Sequence, residues 1–162
     1  MKKLILTTLC IMLMSGCAAT DTFEQIQDVY VQIPMEAPKE IQIELPADAG
    51  STVLAGQDGR LYFCEGYEIA VETCPSGDLE QTIKGMTGYE REDIAVFETA
   101  AAVGVKRYEF VWTSAGEGGE IVCRAVIMDD GLYHYCVSLT ALSSEAGSLQ
   151  EAWNEILKSV AV

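Results

Sequence analysis

The stretch Glu120 to Thr140 constrains the fold more than any other part of the chain. It reads Glu-Ile-Val-Cys-Arg-Ala-Val-Ile-Met, then Asp-Asp-Gly, then Leu-Tyr-His-Tyr-Cys-Val-Ser-Leu-Thr. Two β-prone apolar runs flank a turn signal, which is the signature of an antiparallel hairpin. Its register matters, because a slip of one residue moves every side chain to the other face. A two-residue Asp130-Gly131 loop sets Ile127, Ala125 and Cys123 against His134, Cys136 and Ser138, mixing polar and apolar groups. A three-residue loop, Asp129 to Gly131, pairs Met128 with Leu132. It gathers Ile121, Cys123, Ala125 and Ile127 with Leu139, Val137, Tyr135 and Tyr133 on one apolar face. Arg124, Val126, His134 and Cys136 then share the other. Gly131 suits the left-handed position of such a loop. The second register is the expected one, and it places Cys123 and Cys136 on opposite faces, where they cannot bond to each other.

The other elements follow from pattern and punctuation. Ile41, Ile43 and Leu45 alternate with polar residues as a half-buried strand closed by Pro46. Ser51 to Ala55 and Arg60 to Cys64 flank Gly56-Gln57-Asp58-Gly59 as a second hairpin, and Tyr67 to Val71 continues the sheet. Asp78 to Met86 reads as a short helix capped by Asp78, with Gln81 three residues on, apolar at Leu79, Ile83 and Met86 and ended by Gly88. Ile94 to Thr99 and Lys106 to Ser114 are strands joined through Val103-Gly104. In the latter, Tyr108, Phe110 and Trp112 alternate with Arg107, Glu109 and Thr113. Gly116 to Gly119 reads as a loose glycine loop. A final helix begins at Ser148, where Ser148 and Glu151 form a capping box ahead of the stripe Leu149, Ala152, Trp153, Ile156 and Val160. The expected fold is a single α+β domain: an antiparallel β-sheet, a short mid-chain helix and a C-terminal amphipathic helix packed on one face.

Ahead of this domain the chain changes character. Met1-Lys2-Lys3 is basic, and Leu4 to Met14 is an eleven-residue apolar and small-residue run, too short for a bilayer span but laid out as a secretory signal. It ends Leu13-Met14-Ser15-Gly16-Cys17. This resembles the bacterial lipobox, with Met14 where leucine is more usual. The resemblance implies cleavage between Gly16 and Cys17 and diacylation of the Cys17 sulfur. Residues 1–16 would be the signal peptide, 17–38 the lipidated cysteine and an acidic tether, and 39–162 the globular domain. A 21-residue flexible tether averages about 25 Å end to end. An alternative for part of it is an edge strand at Tyr30 to Ile33. Removal of the signal leaves 8 basic against 25 acidic residues, a formal charge of −17. Such a surface excludes nucleic acid and anionic headgroups as partners. The membrane partner is then reached through the diacylglyceryl anchor on Cys17, on the extracytoplasmic side.

Candidate chemistry is sparse. His134 is the only histidine, so a hydrolase must use it, with Ser138 or Cys136 as nucleophile. There is no Gly-x-Ser-x-Gly elbow, and His134 and Cys136 stand roughly 6.5 Å apart along one strand. Asp129 and Asp130 offer oxygens to a cation, yet acidic residues at a turn ordinarily serve the turn itself. One histidine and no Cys-x-x-Cys leave no zinc set, and nothing asks for a cofactor. Cys64, Cys74, Cys123 and Cys136 allow three disulfide pairings. The scheme containing Cys123–Cys136 is excluded, and the other two stay open beside four buried thiols.

The order of elements, the Asp-Asp-Gly-Leu-Tyr-His-Tyr hairpin and the closing helix with Trp153 and Ser159 resemble a group of small lipoproteins from Firmicutes over most of residues 60–162. In layout the domain is similar to the PsbP-like α+β fold. That resemblance implies a binding or adaptor role. The expectation is a non-enzymatic lipid-anchored module that binds an envelope protein or a cell-wall component through an exposed sheet face or the glycine loop. The alternatives are the His134 hydrolase and a small solute-binding lipoprotein.

Overall fold

The computed structural model describes residues 36–53 and 59–162. All of them fall in the compact unit Ile33–Val162. Among the described residues, seven strands form one antiparallel sheet: β1 Gly50–Val53, β2 Arg60–Cys64, β3 Tyr67–Pro75, β4 Val96–Ala102, β5 Val105–Gly116, β6 Gly119–Asp129 and β7 Tyr133–Leu142. Helix α1 is Leu79–Thr87 and helix α2 is Ser143–Ser159. The spatial order is β1-β2-β3-β7-β6-β5-β4. The chain lays down the meander β1-β2-β3 and crosses through α1 to the far edge. It then returns as the meander β4-β5-β6-β7, and β7 pairs with β3.

The sheet is covered on both faces. On one face, Val126, Met128, Tyr135, Val137 and Leu139 pack with Trp153, Ile156, Leu157 and Val160 of α2 and its end. On the other, Phe110, Ala125, Ile127 and Cys136 pack with Ile83 of α1 and with Ile94. Central strand β7 is therefore buried along its length, from Tyr133 through Val137 and again at Leu139 and Ala141. A strand buried on both sides has no polar face to sort against.

This overturns the expected register of the β6–β7 hairpin. Met128 lies opposite Tyr135, not Leu132, and Asp129 lies opposite His134. The displacement is three residues. An odd shift exchanges the faces, so Cys123, Ala125 and Ile127 share theirs with Thr140, Ser138 and Cys136. Cys123 and Cys136 are thus on the same face, contrary to expectation. They remain too far apart to bond: Cys136 faces Ile127, four residues and about 13 Å along β6 from Cys123. Two features decide the register. The aspartates build the turn: Asp129 Oδ1 accepts from the Gly131 N–H at 2.8 Å, and Asp130 Oδ1 from Leu132 and Tyr133 at 3.0 and 2.9 Å. The polar side chain of the second face, His134, is satisfied beneath α1 by Thr82.

Gly131 does hold the left-handed conformation, at φ 87°. A Cβ there would meet nothing within 4 Å, so Gly131→Ala carries a backbone cost alone, of about 1 kcal/mol. The expected result is a lower urea midpoint with an unchanged slope. An unaltered midpoint would show that the turn does not need glycine.

Helix α1 forms as its punctuation requires. Asp78 accepts from the Glu80 N–H at 3.0 Å, and Gly88 closes the helix in the left-handed region at φ 77°. Three expectations elsewhere fail. Ile41, Ile43 and Leu45 do pack against the core, but their segment makes only the isolated bridge Gln42–Ala161 rather than a strand. The glycine loop is a tight turn, because Gly116 and Gly119 are already paired. The last helix starts at Ser143, directly out of β7, with no side-chain cap at Leu142. Ser148 lies inside it and donates to the Glu145 carbonyl at 2.8 Å. In its apolar stripe Ala152 is exposed and Leu157 buried. The turn expected at Gly56 to Asp58 lies outside the described residues.

Candidate functional site

His134 sits at the start of β7 and is 1% exposed. Its ring is held from two sides: Nδ1 is 2.8 Å from Thr82 Oγ1 on α1, and Nε2 is 3.9 Å from Asp129 Oδ2. Directly across on β3 is Cys74, paired with His134 in the ladder. Glu72 pairs with Cys136 in the same ladder, so Cys74 and Cys136 are diagonal neighbours on one face. Cys136, His134 and Thr82 are the polar neighbours of the Cys74 sulfur. Those contacts, Cys136 first and His134 next, outweigh burial and hold Cys74 below the usual thiol value. Its neighbour moves the other way: the Cys74 contact and then burial push Cys136 up. Cys64 and Cys123 are pushed up chiefly by burial. All four are thiols in this structure.

The residues singled out in the sequence divide between these surroundings and others. Asp130 turns away from His134. Its Oδ2 accepts from the Tyr135 hydroxyl at 3.1 Å and from Lys39 Nζ at 3.0 Å, with 7% of the side chain exposed. The Lys39 N–H in turn donates to the Tyr135 hydroxyl, and the Tyr133 hydroxyl donates to the Glu36 carbonyl. The two adjacent aspartates therefore serve opposite faces, one the imidazole and one the phenol. Ser138 lies four residues along β7 from His134, about 13 Å, and does not meet it. In the sequence Cys74 stood out only as one of four disulfide candidates, and Thr82 not at all. Only the adjacency of β3 and β7 reveals them, and strand order leaves no local signal. Gly16 and Cys17, the signal peptide and the Tyr30 to Ile33 segment lie outside the described residues.

A second feature lies between the β4 end of the sheet and α2. There Phe97 is 69% and Val111 53% exposed. They border a cavity of about 450 Å³ whose walls include Val122, Arg124, Gln150 and Trp153. It shares Glu109, Arg124 and Asn154 with a neighbouring hollow that also takes in Arg107 and Lys158. Arg107 donates to Glu109 at 2.8 Å and to the Leu157 carbonyl at 2.7 Å, closing the C-terminal end of α2. Arg124 reaches both Glu109, at 3.4 Å, and Asn154. Burial alone would raise Glu109, but the two guanidinium groups outweigh it and hold the carboxyl below its usual value. The buried indole Nε1 of Trp153 has no acceptor among the described residues.

No family model and no curated protein matches the chain. Solved structures do. One is a protein from Bacteroides thetaiotaomicron VPI-5482, with a TM-score of 0.51 and 13% identity, covering 75% of this chain and 44% of that one. The chain thus spans less than half the length of that protein. A second is the Ran-binding protein Mog1p of Saccharomyces cerevisiae, at TM-score 0.49 and 11% identity, covering 75% and 89%. A third is LpqN of Mycobacterium tuberculosis, involved in cell envelope biogenesis, at TM-score 0.45 and 12% identity, covering 75% and 82%. At 13% identity the likeness to the Bacteroides protein is one of fold alone.

Proposed function

We propose that the chain is a lipid-anchored, extracytoplasmic, non-catalytic binding module. It takes an extended segment of an envelope protein as an added strand on the β4 edge. The supporting observation is that edge itself. Among the described residues β4 has no neighbour on its outer side, and its sequence Val-Phe-Glu-Thr-Ala-Ala-Ala contains no proline and one charge, Glu98, drawn to Lys106 at 3.3 Å. An edge with a single paired charge and no proline is a template for strand addition. The added strand would lay alternate side chains over Phe97 and Val111. Arg124 and Lys158 at the groove's far end favour an acidic residue there, in a chain whose overall charge is −15. The anchor reading rests on the Ser15-Gly16-Cys17 motif. No helix among the described residues is long and apolar enough to cross a membrane.

The test has two arms. A photo-reactive residue at position 97, and a control at exposed Phe63, are irradiated in intact cells. The captured segment is then made as a peptide and titrated against the purified chain. One envelope protein captured from position 97 alone supports the reading, provided Phe97→Asp weakens the peptide's binding about tenfold or more. Cross-links from β4 to β4 of a second copy would replace it with self-association. In the second arm, a labelled fatty acid should mark the wild-type chain and not Cys17→Ala, and the variant should leave the membrane fraction. Membrane retention without label would reject the lipid anchor.

A further inference from the structure

We propose that Cys74 and Cys136 form a peroxide-reactive dithiol, in which a hydroperoxide oxidises Cys74 and Cys136 closes the pair as a reversible disulfide. The inference is independent of the partner reading. It starts from the ladder, which puts the two cysteines on one face as diagonal neighbours across β3 and β7. The two thiols differ in a way that suits the two roles. Cys74 is partly exposed and Cys136 buried, an accessible attacking thiol beside a sheltered resolving one. The groups facing the pair are His134, directly across from Cys74; Thr82 on α1; and Glu72, across from Cys136. The thiolate character of Cys74 agrees with this assignment.

The chemistry balances with the oxidant named. The Cys74 thiolate attacks the peroxide oxygen, the O–O bond breaks, and the departing alkoxide or hydroxide takes a proton. Sulfur is oxidised by two electrons to the sulfenic acid. The Cys136 sulfur then attacks Cys74, the S–O bond breaks as S–S forms, and the oxygen leaves as water with the Cys136 proton. Diagonal residues of adjacent strands have Cα atoms about 7–8 Å apart, beyond the usual disulfide span. Closure therefore draws the strands together locally. Cys74 is the penultimate residue of β3, ahead of Pro75, which leaves little ladder beyond it to disturb. A disulfide that needs such movement is of the readily reduced kind. Cys123 does not compete: its sulfur meets Thr140 Oγ1 at 3.7 Å, well along the sheet.

The test uses the full chain in detergent, with hydrogen peroxide at neutral pH as the probe, followed by intact mass and peptide mapping. The expected product has lost two hydrogens, carries a Cys74–Cys136 linked peptide, and returns to the starting mass with a thiol reductant. Cys136→Ser should stop at a Cys74 sulfenic acid that dimedone traps. In the wild-type chain, where no variant has to fold, alkylation of Cys74 should outpace that of Cys64 about tenfold or more. A linked peptide joining any other pair, an unchanged mass under peroxide, or equal alkylation of Cys64 and Cys74 would overturn the proposal.

Discussion

Trp153→Ala is expected to lower the stability of the folded unit by about 3–5 kcal/mol, the range for emptying a large aromatic site in a core. Trp153 is 3% exposed. It joins α2 to the sheet within the cluster that includes Ile69, Val137 and Leu139, and its ring lies 6.3 Å from that of Tyr67. Removing it takes away the anchor by which the helix covers the β3, β7 and β6 strands. Trp153→Phe is the informative companion. The indole Nε1 has no acceptor among the described residues, so phenylalanine sheds a buried unsatisfied donor and part of the ring while keeping an aromatic plug. Its cost is expected to be about 1 kcal/mol. Urea unfolding followed by circular dichroism separates the two. A Trp153→Ala midpoint close to that of the wild type would mean that α2 is held elsewhere, for instance by Arg107 at its C-terminal end.

Asp130→Ala is expected to cost about 3 kcal/mol, or roughly 10 °C in Tm, because a buried carboxylate with several donors leaves those donors stranded. Asp130 accepts from two backbone N–H groups, the Tyr135 hydroxyl and Lys39. Burial alone would raise its pKa. The Tyr133 N–H, Lys39 and the remaining donors outweigh burial and hold it below the ordinary value of 3.8. A depressed carboxyl contributes stability that is complete above its unfolded value and lost as pH falls through the folded one. The gap between wild type and Asp130→Asn should therefore be full at neutral pH and shrink only below 3.8. A gap independent of pH would mean that the charge is immaterial and only the turn geometry counts.

The two aspartates also show how far the sequence could be read. Asp129-Asp130-Gly131 marked a turn, and the turn is there. Which residues it pairs depends on side-chain acceptors within the turn and on what covers each face. Sorting apolar from polar failed for β6 and β7 because α1 shelters His134 on the face that looked polar. Ser148 looked like a cap by spacing, yet β7 runs straight into the helix and needs none. Asp78 and Gly88, by contrast, act within a few residues of themselves, and the structure holds both in their expected places.

The sequence by itself determined the elements whose cause is local: the Asp78 cap and Gly88 stop of α1, the alternation of β5, the Gly131 turn, and with them an antiparallel α+β domain. These rest on backbone conformation and on contacts a few residues apart, which any reading of the chain can reach. Tertiary structure alone decided the strand order, the exposed β4 edge and the meeting of Cys74, Thr82, His134 and Cys136. A period of two distinguishes the faces of a strand but not which of them is buried, and here both are. The contacts across β3 and β7 join segments far apart in the chain, and burial of the central strands between two helices selects them.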